Sequence, residues 1–269
     1  MIRCDLRKFV FQTFPSVVYP EAFFKLQEIT EQVVKDRITN SNHYGDFIDT
    51  IIEVCNDPKA SVTMEMIKAQ GKIFFAAGFE TTSNCLTTAC FNLAQNPNIQ
   101  EKLYNEITEC LATHENVDHN SITELQYLEA VINENLRMYP PIPSQERICK
   151  KDVEVKTGFK INKGTYIRIP IYACHHNPEY FPDPDKFKPE RFLKENSKAL
   201  LPYTFLGFSG GPRICLGMRF AMIEMKICLA NLLKKYKIKI SPLTELQFNP
   251  GDLFLLNFTE LYLTLEPRS

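Results

Sequence analysis

Residues Tyr139-Pro140-Pro141-Ile142-Pro143 place three prolines in five positions. No regular helix crosses such a run, because proline lacks a backbone N–H and its ring collides with the preceding turn. The run divides the chain into two textures. Ahead of it, apolar residues recur at spacings of three and four, the mark of amphipathic helices. Residues 21–38 carry a stripe of Phe23, Phe24, Leu26, Ile29, Val33 and Val34, and a second helix is predicted over 45–55. A long helical pattern runs from about Val62 to Gln95, roughly 50 Å at 1.5 Å per residue. Ser61 and Thr63 are its candidate caps. Asn96-Pro97 ends it and starts the next helix with proline in its first turn. That helix continues through Leu111, and another is predicted from 121 to Met138.

Beyond the prolines, short β-like runs occupy 152–156 and 165–171, and a proline-rich, weakly periodic stretch covers 177–213. A helix is predicted after Cys215, with Phe220, Ile223, Ile227 and Ala230 on its apolar side. Strands close the chain near 237–240 and 253–265. The expected fold is mainly α with small β-sheets, in a single domain over residues 1–269.

Composition excludes several classes. The 269 residues are 44% hydrophobic and 23% charged with formal net charge -1. That balance gives no electrostatic case for nucleic acid. Nine cysteines without a C-x-x-C pair argue against a zinc ribbon and against a secreted disulfide framework. No apolar run reaches the roughly 18 residues that span a bilayer, and the opening, with Arg3, Asp5, Arg7 and Lys8, lacks a signal-peptide pattern.

The chemistry concentrates in Phe208-Ser209-Gly210-Gly211-Pro212-Arg213-Ile214-Cys215-Leu216-Gly217. Cys215 stands at the mouth of a helix, two residues past Arg213 and between glycines. The helix N-terminus and the arginine both favour thiolate. Such a cysteine is a nucleophile or a metal ligand; the plain alternative is a small core residue after a glycine turn.

Three other segments accompany it. Ala77-Gly78-Phe79-Glu80-Thr81-Thr82 lies in the long helix, where Ala77 and Thr81 share a face and Gly78 permits close approach to the backbone. Glu134 and Arg137 are spaced i,i+3 on one helix. Phe187-Lys188-Pro189-Glu190-Arg191-Phe192 follows some fifty residues later. Cys174-His175-His176 has no matching ligand pair elsewhere and is not read as a metal site.

Together these segments resemble the cytochrome P-450 family. The cysteine loop matches its haem-ligand signature FxxGxRxCxG at Phe208, Gly211, Arg213, Cys215 and Gly217. Residues 77–81 match its oxygen-activation motif [AG]Gx[DE]T, Glu134 and Arg137 its ExxR element, and 187–192 its Pro-Glu-Arg-Phe segment. The resemblance extends over the whole chain, corresponds to about the C-terminal half of the family, and is strongest to animal microsomal members that oxidise xenobiotics and lipophilic metabolites.

The resemblance implies a cytochrome P-450 fold, C-terminal portion, and a haem-thiolate monooxygenase using haem b, dioxygen, a lipophilic small molecule and electrons from a reductase. Cys215 would be the axial ligand of the haem iron, and Phe208 would pack on its proximal side. Arg213 and Arg147 would hold propionates. Ala77 and Gly78 would admit the flat cofactor. Thr81 would hydrogen-bond the oxygen under activation, with Glu80 helping to relay protons. Glu134, Arg137 and Arg191 would brace the cysteine loop.

Substrate contacts are expected from Phe74, Phe75, Ala77, the turn 142–145 and residues 253–256. Lys186, Lys188, Lys194, Arg219, Lys226, Lys234 and Lys235 are candidates for a face that docks an acidic electron donor. Family members sit at the endoplasmic reticulum membrane, facing the cytoplasm, through an N-terminal anchor that this chain is expected to lack. Two alternatives stay open: a fragment with impaired haem binding and no activity, and a haem-thiolate isomerase or dehydratase that needs no dioxygen.

Overall fold

The computed structural model describes residues 21–56, 62–114, 117–196, 200–248, 255–256 and 258–268. They are mainly helical with small antiparallel sheets. The chain divides into two compact units, Met1–Phe79 and Glu80–Ser269, with the division inside one long helix.

In the first unit, α1 (Glu21–Asn40) and α2 (Phe47–Asn56) precede α3 (Met64–Gln95). The predicted stripe of α1 is rotated: Ile29 and Phe24 are exposed, while Thr30 and Val34 are buried. Thr30 tolerates burial because its hydroxyl donates to Leu26 O at 2.8 Å. Its partner on α3 is Gly71, where a Cβ would overlap the Thr30 methyl and lie 2.5 Å from Oγ1. Overpacking of this kind costs about 1–3 kcal/mol, against about 1 kcal/mol that alanine gains over glycine in a helix. Gly71→Ala is therefore expected to lower the thermal midpoint. Adding Thr30→Ala, which removes both the methyl and the hydroxyl oxygen, should recover most of the loss when both are followed by circular dichroism.

Asp46 caps α2, its Oδ1 accepting from Ile48 N and Asp49 N at 3.0 and 3.2 Å. Asp49 gathers the loop before it, accepting from Tyr44 N, Gly45 N and an Arg37 guanidinium nitrogen at 2.5, 2.6 and 2.8 Å. Thr63 caps α3 through Met66 N at 3.3 Å; Ser61 lies outside the described residues.

The second unit holds the core. α4 (Pro97–Thr113) begins with proline, as predicted. The single helix predicted over 121–138 is two, α5 (His119–Glu124) and α6 (Gln126–Met138), broken at Leu125. Asp118 and Ser121 form a capping box on α5. α6 has no cap of its own: the Glu106 carboxylate, from α4, takes Tyr127 N at 2.6 Å and Leu128 N at 2.9 Å. A distant residue thus does the work a local cap would do, which hid the break from sequence.

Among the described residues, four two-stranded antiparallel sheets follow: β1 (Gln145–Ile148) with β4 (Tyr166–Ile169), β2 (Val153–Glu154) with β3 (Lys160–Ile161), β5 (Tyr236–Ile240) with β8 (Leu263–Pro267), and β6 (Glu245–Phe248) with β7 (Phe258–Glu260). A short helix, α7 (Ile171–His175), interrupts the irregular middle and was not predicted.

The cysteine loop leads into α8 (Met218–Lys235). Its buried side is Met225, Leu229, Ala230 and Leu233; of the predicted set Ala230 is buried, Ile223 and Ile227 are half-buried against the core, and Phe220 is 62% exposed. These residues join Cys85, Leu93, Leu103, Leu128 and Ile132 in one core. Gln100 fastens α4 to β5, donating to Leu93 O and Ile238 O and accepting from Ile238 N, at 2.8–2.9 Å throughout. Among the described residues no helix is long and apolar enough to cross a membrane.

Candidate functional site

Glu134 and Arg137, both on α6, are completely buried. Their i,i+3 spacing gives a bidentate pair, Arg137 Nε to Glu134 Oε2 at 2.8 Å and a terminal nitrogen to Oε1 at 2.9 Å. A buried ion pair is tolerable only when its remaining polar atoms are satisfied, and here they are. Glu134 Oε1 also accepts Lys188 N at 2.9 Å and Arg191 Nε at 3.4 Å. Arg137 donates its other hydrogens to His175 O at 2.9 Å and Pro184 O at 2.7 Å. Arg191 in turn donates to Asp183 O at 2.9 Å. Pro189–Phe192 is a 3₁₀ turn, which presents Arg191 inward while Lys102 and the Tyr127 hydroxyl engage Glu190 outward.

The cysteine loop adjoins this brace. Gly211 has φ +68°, a conformation glycine adopts freely, and Gly211–Arg213 forms a 3₁₀ turn. Cys215 N donates to Phe208 O at 2.9 Å, closing the loop across its base. The Phe208 ring packs against the core. Cys215 itself is exposed, three residues before α8, with Arg213 exposed beside it. Ile214 and Leu216 flank it in sequence and Phe220 follows in the first turn of α8, at 50, 100 and 62% exposure.

Arg147 lies half-buried on β1, donating to Glu146 O at 2.9 Å and Gln145 Oε1 at 3.2 Å. The same Gln145 oxygen accepts the Ser209 hydroxyl at 2.8 Å, which ties Arg147's strand to the cysteine loop.

Thr81 is half-buried and Glu80 exposed on the α3 surface, with Ala77 and Gly78 exposed one turn earlier. A Cβ at Gly78 would meet nothing within 4 Å. One and two turns after Thr81, Cys85 and Thr88 are locked to α6 by Asn135. Its Nδ2 donates to Cys85 O, Cys85 Sγ and Thr88 Oγ1 at 3.0–3.2 Å, and its Oδ1 accepts from Asn92 at 2.8 Å. Burial pushes the Cys85 thiol up to about 12, so it stays protonated.

One expectation needs correction. Lys226 is buried, its ammonium held by Glu129 at 2.6 Å and Ile122 O at 3.3 Å, so it belongs to no docking face. Lys186 and Lys188 are both paired with Asp183. Of the expected substrate contacts 253–256, residues 253 and 254 lie outside the described residues, as do Arg3, Asp5, Arg7 and Lys8.

His175 was passed over in sequence. Both ring nitrogens are engaged, Nδ1 with Arg137 O at 3.0 Å and Nε2 with Leu206 N at 2.8 Å, so it cannot also bind a metal. Among the described residues, the ligand atoms that do cluster are those of Cys110, His114 and Glu124, away from this brace in sequence and fold. Asn135 likewise gave no signal, since a polar residue in a helix is ordinarily solvated.

The fold is helix-rich, with an exposed cysteine on a glycine loop and a buried glutamate–arginine pair on α6. Residues 10–265 match the family model described as Cytochrome P450, and the chain belongs to that family. It is similar to Cytochrome P450 3A16 of Mus musculus, 37% identical over 91% of this chain and 50% of the relative. Cytochrome P450 3A40 of Oryzias latipes is 37% identical over 98% of this chain and 53% of the relative, and Cytochrome P450 3A13 of Mus musculus 43% identical over 70% and 37%. The chain spans about half the length of the curated relatives it matches.

Proposed function

We propose that this chain supplies the catalytic half of a haem-thiolate monooxygenase. In this reading one oxygen atom of dioxygen enters a lipophilic small molecule, with electrons from a reductase, at the endoplasmic reticulum membrane. Residues 1–269 belong to one catalytic domain. The observation that carries the reading is the exposed Cys215 on a loop backed by the fully buried Glu134–Arg137 pair.

The residues present fit haem b. A Cβ at Gly211 or Gly217 would meet nothing within 4 Å, so the loop is open beside the sulfur. The exposed apolar side chains of Ile214, Leu216 and Phe220 would lose their contact with water under a porphyrin, about 25 cal/mol per Å² of area covered. Cys215 Sγ would ligate the iron, and Arg213 and Arg147 suit propionate carboxylates. When bound, the haem supplies the iron centre at which dioxygen is activated, its potential tuned by thiolate ligation.

The chain's own residues bind, orient and move protons. Ala77 and Gly78 leave the α3 surface low enough for a flat group. The Thr81 hydroxyl offers one donor and two acceptor lone pairs, and Glu80, exposed on the same helix, would take up a proton from solvent before handing it on towards that hydroxyl. Phe74 and Phe75, both about half exposed, are suited to an apolar substrate.

Reconstitution with haem and the reduced carbon-monoxide spectrum test the reading. A thiolate-type Soret band is expected, and Cys215→Ser should abolish it. A chain that takes up no haem, or ligates it through histidine, would sink the proposal for this polypeptide.

A further inference from the structure

We propose that His175 is a positioning residue that clasps the C-terminal end of α6 to the backbone leading into the Cys215 loop. The argument rests on hydrogen-bond polarity. Arg137 O can only accept, so Nδ1 must carry a hydrogen; Leu206 N can only donate, so Nε2 must be bare. A single neutral tautomer satisfies both partners. Arg137 O is also one of the last carbonyls of α6, which the helix itself leaves without a partner. The link is reciprocal, because the Arg137 guanidinium donates to His175 O at 2.9 Å.

The clasp acts two residues from the base of the cysteine loop. Leu206 leads through Gly207 to Phe208, whose carbonyl accepts Cys215 N at 2.9 Å. The fit is close: a Cβ at Gly207 would lie 2.7 Å from Phe205 Cζ and 3.1 Å from Leu136 Cβ. Phe205 also stacks on the imidazole, centroids 5.4 Å apart, and Phe181 meets its edge at 6.1 Å. The line from Glu134 through Arg137, His175 and Leu206 to Phe208 is therefore continuous.

Protonation would break it, since Nε2–H would then point at Leu206 N–H. The ring is fully buried. Burial first, then the charges of Arg137 and His176, hold its pKa down from 6.5 to about 4, against the opposing bond to Arg137 O. Arg137 and His176 are the charged or titratable groups that bear on it, Glu134 standing behind the Arg137 guanidinium; Phe181 and Phe205 are uncharged. In the folded chain the clasp holds at neutral pH and opens as pH falls towards 4.

Amide hydrogen exchange on the haem-free full chain tests this without depending on the ligand role of Cys215. His175→Phe keeps the ring stack and loses both nitrogens. It should lower Leu206 protection about tenfold, the worth of one net hydrogen bond, with α4 amides unchanged. His175→Gln, which offers one donor and one acceptor, should restore part of that protection. In the wild type, Leu206 protection should fall between pH 6.5 and 4 ahead of the α4 amides. Unchanged Leu206 protection in His175→Phe, or equal loss across α4 and α8, overturns the clasp. Should His175→Phe fail to fold, a flat Leu206 profile in the wild-type titration overturns it alone.

Discussion

Glu134→Ala is expected to destabilise the haem-free chain by about 3–5 kcal/mol, the cost of stranding one member of a buried ion pair. The carboxylate is inaccessible to water and accepts from Arg137 twice, from Lys188 N and from Arg191. Its loss leaves the Arg137 guanidinium buried with only carbonyls around it. Because whole domains are stable by about 5–15 kcal/mol, the variant should lose a large share of its stability while still folding. Glu134→Gln keeps volume and one acceptor oxygen and should fall between. Urea midpoints decide the matter: a loss for Glu134→Ala below about 1 kcal/mol, the range of exposed pairs, would show that the brace is not structural.

The second large effect belongs to Asn135→Ala, at about 2–4 kcal/mol from a cavity and an orphaned amide together. Asn92 Nδ2 would lose its acceptor at a position 1% exposed. The discriminating variant is Asn92→Leu with Asn135→Leu, because replacing both partners of a buried hydrogen bond by apolar groups can be nearly neutral. Chemical denaturation should place that double variant above Asn135→Ala; if it falls below, the network is a packing effect and not a polar one. Cys85, one of the Asn135 partners, lies one turn beyond Thr81 on the same side of α3.

Sequence and structure agree where local physics decides. Thr63 caps α3 and Pro97 opens α4 because each acts on residues three or four away. The cysteine loop was legible for the same reason: its glycines, arginine and cysteine lie within ten positions of a helix start. Structure departs from sequence where the deciding partner is remote. The break at Leu125 depends on Glu106, about twenty residues earlier, and the burial of Lys226 on Glu129, 97 residues away. Thr30 displaced Ile29 from the packed side of α1 because Gly71 leaves room for a small side chain and no larger one. His175 and Asn135 were invisible for a related reason. Each is polar, and only the three-dimensional neighbours show that it is buried and fully bonded.

The Gln100 side chain carries a consequence for how the chain is made. Its two bonds to Ile238 join residues 138 positions apart. At about 5–20 residues per second on the ribosome, α4 waits roughly 7–28 s for that partner to be synthesised. Until then a primary amide destined for the interior, and the apolar face of Leu103 and Ile107 beside it, stand open to solvent. The newly made chain is therefore most exposed to misassociation just before β5 emerges, and chaperone demand should peak there.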